Sequence, residues 1–349
     1  MKHQNRLPII YAVLAAICYG ISAPMAKLLL RGLPPALLAA LLYLGAGFGM
    51  SIVSLLRKKD ARAGEARMTR RELPYAAAMV ALDIAAPVLL MFGLLSTSPE
   101  TASLLNNFEI AATSVVALVL FKEAVGRRMW LAIGAITVAS AVLSVENLGT
   151  LSFSPGAILV LLACVCWGLE NNCTSRLSLK NPVQIVIIKG IGSGLGALLI
   201  AVFAGGRAAG LAYIFAALAL GFASYGLSVY FYILAQRKLG AARTSAFYAI
   251  APFLGAGISL AVFREKPALP FVAAFIVMIF GAYLAASEKH EHPHLHAETE
   301  HEHRHSHTDG HHSHKHEPPV AGEHSHAHIH SSLTHTHEHT PDAHHTHTH

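Results

Sequence analysis

The chain has 349 residues, 54% of them apolar and only 13% charged, about half the charged share of a typical soluble domain. Outside one terminal tract there is too little polar surface to coat a globule of this size, which excludes an ordinary soluble protein. The net charge of +6 does not point to nucleic acid either, because the basic residues sit in short clusters between apolar runs, the pattern of membrane topology.

In chain order the sequence predicts ten apolar helices, at about 8–30, 34–56, 73–95, 101–121, 128–145, 155–178, 182–204, 210–235, 241–263 and 268–286. Each approaches the roughly 20 residues that a spanning helix needs. Prolines stand at or near several starts (Pro8, Pro34, Pro74, Pro155, Pro182, Pro267), where a missing N–H costs nothing. No stretch alternates with the period of a barrel strand, so helices are the remaining way to satisfy a backbone in lipid. Lys2 and Arg6 precede the first run and no small-residue cleavage site clearly follows it; a retained first helix is expected rather than a removed leader. Cys18, Cys164, Cys166 and Cys173 all lie within apolar runs and do not read as a disulfide framework.

With the N-terminus in the cytoplasm, 18 Lys and Arg residues fall on the cytoplasmic side before the distal tail, and five on the other. This bias predicts both termini inside, in a cytoplasmic (inner) membrane. The chain also repeats itself. Ala16-Ile-Cys-Tyr-Gly20 matches Ala163-Cys-Val-Cys-Trp-Gly168 loosely, with Cys18 on Cys166 and Gly20 on Gly168, and Phe121-Lys-Glu123 matches Phe263-Arg-Glu265. The offsets, 148 and 142 residues, leave five helices in each half. An odd number makes the halves cross in opposite senses, a carrier design with its site near the midplane. The expected organisation is therefore an all-α integral membrane protein of ten transmembrane helices in two inverted five-helix repeats, 1–146 and 147–286, followed by a tail, 287–349.

At these residues the chain resembles the drug/metabolite transporter superfamily, in its EamA-like branch. The Tyr-Gly and Trp-Gly pairs of helices 1 and 6 carry the likeness, as do the ends of helices 4 and 9. The run Tyr248-Ala-Ile-Ala-Pro252 through Phe263-Arg-Glu265 is similar to the family's proline-to-glutamate signature. The resemblance implies a central cavity and alternating access, usually for export of small organic solutes. The first half departs from the pattern: Ile110 stands where the second half has Pro252, beside Glu109 in Asn106-Asn107-Phe108-Glu109.

Ionisable groups inside spans are costly and tend to be functional. Asp83, Glu109, Glu170 and Lys189 are such groups. Glu170 and Lys189 sit at matching depth on consecutive helices and are expected to pair. Asp83 and Glu109 have no basic partner at their depth that the sequence reveals, so they are expected to exchange protons, as in a proton-coupled carrier. Asn106, Glu109 and Thr113 share one helix face, and Asn107 adds polarity beside them. Tyr225, Ser228 and Tyr232 form a second stripe; with Tyr248 and Pro252 they are expected to line the cavity. Cys166, Glu170 and Cys173 share a face that could hold a soft metal, though buried cysteine is more often a small hydrophobe. The spacings Gly190-Ile-Gly192-Ser-Gly194-Leu-Gly196 read as close helix packing.

Of 24 histidines, 23 lie from His290 to His349. Runs such as His301, His303, His305, His307, His311 and His312, and His324, His326, His328 and His330, alternate with small or polar residues. This tract lacks the apolar residues for a core and is expected to be disordered without a ligand. Neutral imidazole ligates zinc, nickel, cobalt and copper, so the tail is expected to bind divalent metal. The function expected is that of a secondary transporter, a proton-coupled exporter of a small metabolite, a metal or a metal chelate. It would need no cofactor, partner the lipid bilayer, and be compatible with a homodimer; no enzyme activity or nucleic-acid partner is expected. The alternative is a non-transporting, membrane-anchored metal reservoir or sensor.

Truncation after Lys289 should leave insertion of the helical core intact and remove nearly all metal capacity. Metal uptake by the tail should weaken as pH falls through about 6.5, because imidazole must be deprotonated to ligate. Equilibrium dialysis against zinc, with full-length and truncated protein side by side, measures both.

Overall fold

The computed structural model describes residues 6–56, 69–121, 125–147, 152–177, 180–205, 210–239, 244 and 247–287, with the tail segments 290–296, 299–305, 324–330 and 333–339. Helices α1 (Arg6–Gly20), α2 (Ser22–Leu29), α3 (Pro35–Leu56), α4 (Leu73–Ser96), α5 (Pro99–Leu105), α6 (Phe108–Phe121) and α7 (Arg127–Ser144) are followed by a short antiparallel pair, β1 (Val145–Asn147) and β2 (Ser152–Phe153). Next come α8 (Pro155–Leu177), α9 (Pro182–Phe203), α10 (Leu211–Gly221), a π-helical segment (Phe222–Leu227), α11 (Ser228–Leu239), α12 (Ala251–Phe263) and α13 (Leu269–Ala286). Among the described residues eight helical stretches are long and apolar enough to cross a membrane, and α12 is a shorter apolar helix. Large side chains left bare, such as Leu55, Phe203 and Leu269, belong against hydrocarbon in such a protein.

The helix starts follow local chemistry. Asn181 caps α9 by accepting from the N–H groups of Val183 (2.9 Å) and Gln184 (3.1 Å), with Pro182 just inside. Ser98 caps α5 in the same way through Thr101 N–H, ahead of Pro99. Such a cap is worth about 1 kcal/mol.

Three stretches that the sequence predicts as continuous are interrupted. The first breaks at Ile21, between α1 and α2. The fourth breaks at Asn106-Asn107, where Asn107 Nδ2 donates to the Leu104 carbonyl (3.1 Å) and so competes with the helical ladder. The eighth passes through the π-helical segment. The ninth, expected from 241, has its regular helix begin only at Ala251, because Pro252 is suited to a first turn and disfavours helix before it; residues 240–243 and 245–246 lie outside the described residues.

α3 packs along α9, α4 along α8, α7 along α13, α1 along α11, and α12 against α5 and α1. The α3–α9 contact is close enough to require glycine: a Cβ on Gly190 would lie 2.6 Å from the Cα of Gly47. The largest apolar cluster, including Leu42, Leu90, Leu94 and Trp167, fills the space between α3, α4 and α8. In the tail the described segments are His290–His296, paired antiparallel with Leu333–His339, and Thr299–His305, paired with His324–His330. Alternation of histidine with threonine, serine and alanine has the period of a strand. His307, His311 and His312 lie outside the described residues.

Where α4 begins, Glu72 lies 3.5 Å from Lys180 and accepts hydrogen bonds from both the N–H and the hydroxyl of Thr69, each 2.6 Å. Burial alone would push the Glu72 carboxyl up, but the Thr69 hydrogen bonds and the Lys180 ammonium outweigh it and hold the group below its ordinary value. A carboxyl lowered in the folded state stabilises above its unfolded pKa, and that stability is lost as pH falls through the folded value. Glu72→Gln should therefore lower the Tm of the solubilised protein at neutral pH, by an effect of about 1 kcal/mol or less for a pair near the surface. The difference should shrink as pH falls below the ordinary carboxylate value of about 4.3 and through the lowered folded value; a Tm gap that does not shrink on acidification would show that the charge is not the cause.

Candidate functional site

A cavity of about 80 Å³ lies among α1, α3, α6, α8, α9 and the π-helical segment. Its polar wall is organised by one cation. Lys189 Nζ on α9 lies 3.0 Å from Asp83 on α4 and 3.0 Å from Glu170 on α8. The two carboxylates are 0% and 1% exposed. Asp83 also accepts from the Tyr43 hydroxyl on α3 (2.9 Å), and Trp167 Nε1 approaches that hydroxyl at 3.5 Å. Thr174, one turn along α8, donates its hydroxyl to Glu170. Charges this deep survive only when paired and hydrogen-bonded.

Glu109 is the exception. It sits at the start of α6, immediately after the Asn106-Asn107 break, and is half-buried on the cavity wall. Its partner is neutral: Asn171 Nδ2 on α8 donates to it at 2.6 Å and reaches Thr113 Oγ1 at 3.3 Å. Glu109 can therefore gain or lose charge without dismantling an ion pair. Around the other side runs a chain of touching tyrosines, with ring centroids 5.2 Å apart for Tyr43–Tyr225, 6.2 Å for Tyr225–Tyr19, 5.7 Å for Tyr19–Tyr248 and 5.0 Å for Tyr248–Tyr232. The π-helical segment delivers Tyr225 and Ser224 to the cavity; the extra residue in its turn re-aims side chains that a regular helix would stack elsewhere.

The structure brings Glu109, Glu170, Lys189, Tyr225 and Tyr248 together on the cavity, with Asp83 behind Lys189. It corrects the expectation that Asp83 lacks a basic partner: Lys189 serves two carboxylates, because α4 and α9 pack against each other. Other expected positions lie elsewhere. Asn106 and Pro252 line a separate space of about 10 Å³ beside Gly20. Asn107 turns to its own helix end and to Met278 Sδ (3.6 Å). Ser228 donates to the Ala15 carbonyl (2.8 Å), tying α11 to α1. Tyr232 is in edge-on ring contact with Tyr248. Among the described residues no group of three His, Cys, Asp or Glu side chains gathers as a metal site, so the Cys166–Glu170–Cys173 face is not assembled as one. Tyr19, Tyr43, Trp167, Asn171 and Ser224 line the cavity without having been singled out as site residues. Tyr19 and Trp167 stand in the two repeated motifs, and that was their available signal.

A second polar cluster forms where α2, α4 and α12 end and α5 begins. Lys27 donates to the carbonyls of Leu94 and Thr97 (3.2 Å to the latter), and Glu100 and Glu265 interact with it. The adjoining Glu100 charge pushes the exposed Glu265 carboxyl above its ordinary value.

The model of the EamA-like transporter family matches residues 6–145 and again 154–287. A protein described as an uncharacterized transporter, from Methanothermobacter thermautotrophicus, is 27% identical over 293 residues, covering 78% of this chain and 84% of its own. A solved crystal structure superposes with a TM-score of 0.57 at 17% identity, over 81% of this chain and 96% of that one; at that identity the likeness is one of fold.

Removal of the shared cation should be the most damaging single change at the site. Lys189→Met leaves two buried carboxylates uncompensated and should cost about 3–5 kcal/mol. Adding Asp83→Asn and Glu170→Gln to it should recover much of that loss. Thermal unfolding in detergent of the wild type, Lys189→Met, Asp83→Asn/Glu170→Gln and the triple variant measures the coupling, and simple additivity would contradict the shared contact.

Proposed function

This chain belongs to the EamA-like transporter family and is a multi-span membrane transporter; from that premise we propose that it is a proton-coupled exporter of a small solute, working by alternating access between two inverted five-helix halves, about 1–146 and 147–286. The double match of the family model supports the two halves. So does the pairing of helices: α3 with α9 and α7 with α13 are corresponding elements of the two halves, and α6 meets α8 as α12 meets α1. Ten crossings follow if α7, which opens on Arg127-Arg128, and the short α12 each count as one. The basic-residue bias favours cytoplasmic termini in an inner membrane.

The observation that carries the reading is Glu109. It is a half-buried carboxylate on a cavity wall, held by a neutral amide, beside an ion-paired triad that is already satisfied. Protonation there changes the charge of the cavity by one unit and leaves the packing of α4, α8 and α9 in place. Lys189, Asp83 and Glu170 fix the wall against which that change is felt. Breaks near Ile21 and Asn106-Asn107 put helix ends at cavity depth, as in carriers that bind at discontinuous helices. The histidine tail binds divalent metal and buffers or senses it on the cytoplasmic side. Its composition supports that role.

The test is flux in proteoliposomes containing a pH-sensitive dye, screening amino acids, amines, zinc, nickel and cobalt with and without an imposed pH gradient. The wild type should move protons in exchange for its substrate. Glu109→Gln should lose gradient-driven transport by at least tenfold, and Asp83→Asn should impair it through the loosened Lys189. Gradient-driven transport unchanged in both variants would remove proton coupling from these carboxylates.

A further inference from the structure

Charge at the cavity is unbalanced. Among the described residues, Asp83 and Glu170 pair with Lys189 and Glu109 lines the same cavity, so three carboxylates stand near one ammonium. With all of them ionised the site holds two negative charges in excess. Lys189 already has a carboxylate 3.0 Å away on each of two sides, and an incoming anion would meet those carboxylates along with the ammonium. Among the described residues, Asn171 is the side chain that hydrogen-bonds Glu109. The groups facing Glu109 from the packed elements are Glu170 and Lys189, the hydroxyls of Tyr19, Tyr225 and Tyr248, and the Cys164 thiol. Lys189 is the one cation among them, and it is already committed.

The cavity is also lined by aromatic rings, which adjoin the charged cluster through the Tyr43 hydroxyl on Asp83. Tyr43, Tyr225, Tyr19 and Tyr248 form a continuous ring-to-ring surface, and Trp167 adds an indole. The faces of such rings attract cations, more strongly once the cation is desolvated. Ser224 Oγ is fully buried on the same cavity and, among the described residues, has no hydrogen-bond partner. A buried hydroxyl left this way calls for a polar group that the protein does not supply. The cavity of about 80 Å³ compares with the roughly 10–15 Å³ that one water needs on the same measure, so it holds a molecule of only a few non-hydrogen atoms.

Resting on the transporter reading above, we infer that the substrate class is a small organic cation, an amine or quaternary ammonium carrying a hydroxyl or comparable polar group. The ammonium lies between Glu109 and the tyrosine wall, and its polar end meets Ser224. A proton and the substrate cation then satisfy the same carboxylate and exclude one another. That exclusion is what couples their movements. Zwitterions bind less well, because their carboxylate meets Asp83 and Glu170 around a lysine that is already neutralised.

Calorimetric titration of the full chain in detergent tests this with three probes of similar shape: choline, its neutral carbon isostere 3,3-dimethyl-1-butanol, and the zwitterion glycine betaine. Titrations in two buffers of different ionisation enthalpy also count protons released. Choline should bind at least tenfold more tightly than either analogue and release protons on binding. Glu109→Gln should lose at least tenfold in choline affinity together with the proton release. Where that variant is not monodisperse, Tyr248→Leu, which removes one ring and no charge, should weaken choline severalfold and leave proton release per bound choline unchanged. Equal binding of choline and its neutral isostere, tighter binding of glycine betaine, no detectable choline binding, or undiminished choline binding in Glu109→Gln would each overturn the inference. The assay uses no gradient, so its failure leaves proton-coupled flux standing, and loss of coupling in proteoliposomes leaves cation binding standing.

Discussion

Lys189 sits where three helices need a reason to meet. Its ammonium is the common counter-charge for Asp83 of α4 and Glu170 of α8. None of the three groups would be tolerable alone in an apolar interior, where an unpaired ion costs several kcal/mol. Tyr43 extends the arrangement to α3, and through its hydroxyl to Trp167. The glycine contacts bring the backbones near enough for this: Gly190, next to Lys189, packs on Gly47 of α3, so α9 approaches α3 closely on the helix carrying Tyr43. Apolar packing between membrane helices has little driving force, since lipid tails are as apolar as leucine. The polar cluster therefore specifies which helices assemble in which register, and the glycines allow the approach.

The backbone interruptions serve the same site. A regular helix satisfies its own polar groups and presents nothing to a solute. Breaking it exposes donors and acceptors, which is tolerable only where protein or a water-filled cavity replaces lipid. The Asn106-Asn107 break puts Glu109 in the first turn of α6, on the wall of the cavity. The π-helical segment in the eighth stretch sets Ser224 and Tyr225 on the cavity. Tyr248 lies just before the regular start of α12 at Ala251. Glu109, Ser224, Tyr225 and Tyr248 thus come from irregular positions of three stretches, and the paired charges come from the continuous helices α4, α8 and α9.

Most of the helical layout was legible in the sequence, because long apolar runs bounded by proline and charge have few alternative readings. The charged groups that matter were legible for the same reason: an Asp, a Glu or a Lys inside such a run stands out against its cost. Their pairing was only half legible. Lys189 and Glu170 are on consecutive helices and could be matched by depth, but Asp83 is 106 positions away from Lys189 and its contact depends on α4 packing against α9, which no local pattern encodes. Helical spacing grouped Asn106 with Glu109, and that failed because spacing assumes an unbroken helix, which the two adjacent asparagines prevent. It likewise joined Ser228 to Tyr225, where the π-helical segment changes the phase. Tyr43 was invisible as a site residue because a single tyrosine in an apolar helix reads as packing until the carboxylate beside it is known.

The two halves of the chain use matching positions differently. In the proposed pairing, Ile110 corresponds to Pro252, so Glu109 corresponds to Ala251 and Asn106 to Tyr248. One half places an ionisable carboxylate after its break and the other places a methyl group. One half puts an amide before the break and the other a phenol ring. A strictly symmetric site would present two carboxylates, and protonating one would leave the other to hold the solute. In the proposed mechanism Glu109 is the carboxylate with no ion-pair partner among the described residues, so one proton there removes the counter-charge offered to the solute. The asymmetry also separates tasks by helix. In the proposed mechanism the first half supplies Glu109 as the carboxylate that exchanges its proton, and the second half supplies Tyr248 and Tyr225 for the apolar wall, together with Lys189, which pairs with Asp83 and Glu170. A carrier of the proposed kind needs one carboxylate free to change partners while its neighbours stay held, and the two ion pairs of Lys189 hold Asp83 and Glu170 while leaving Glu109 with a neutral amide.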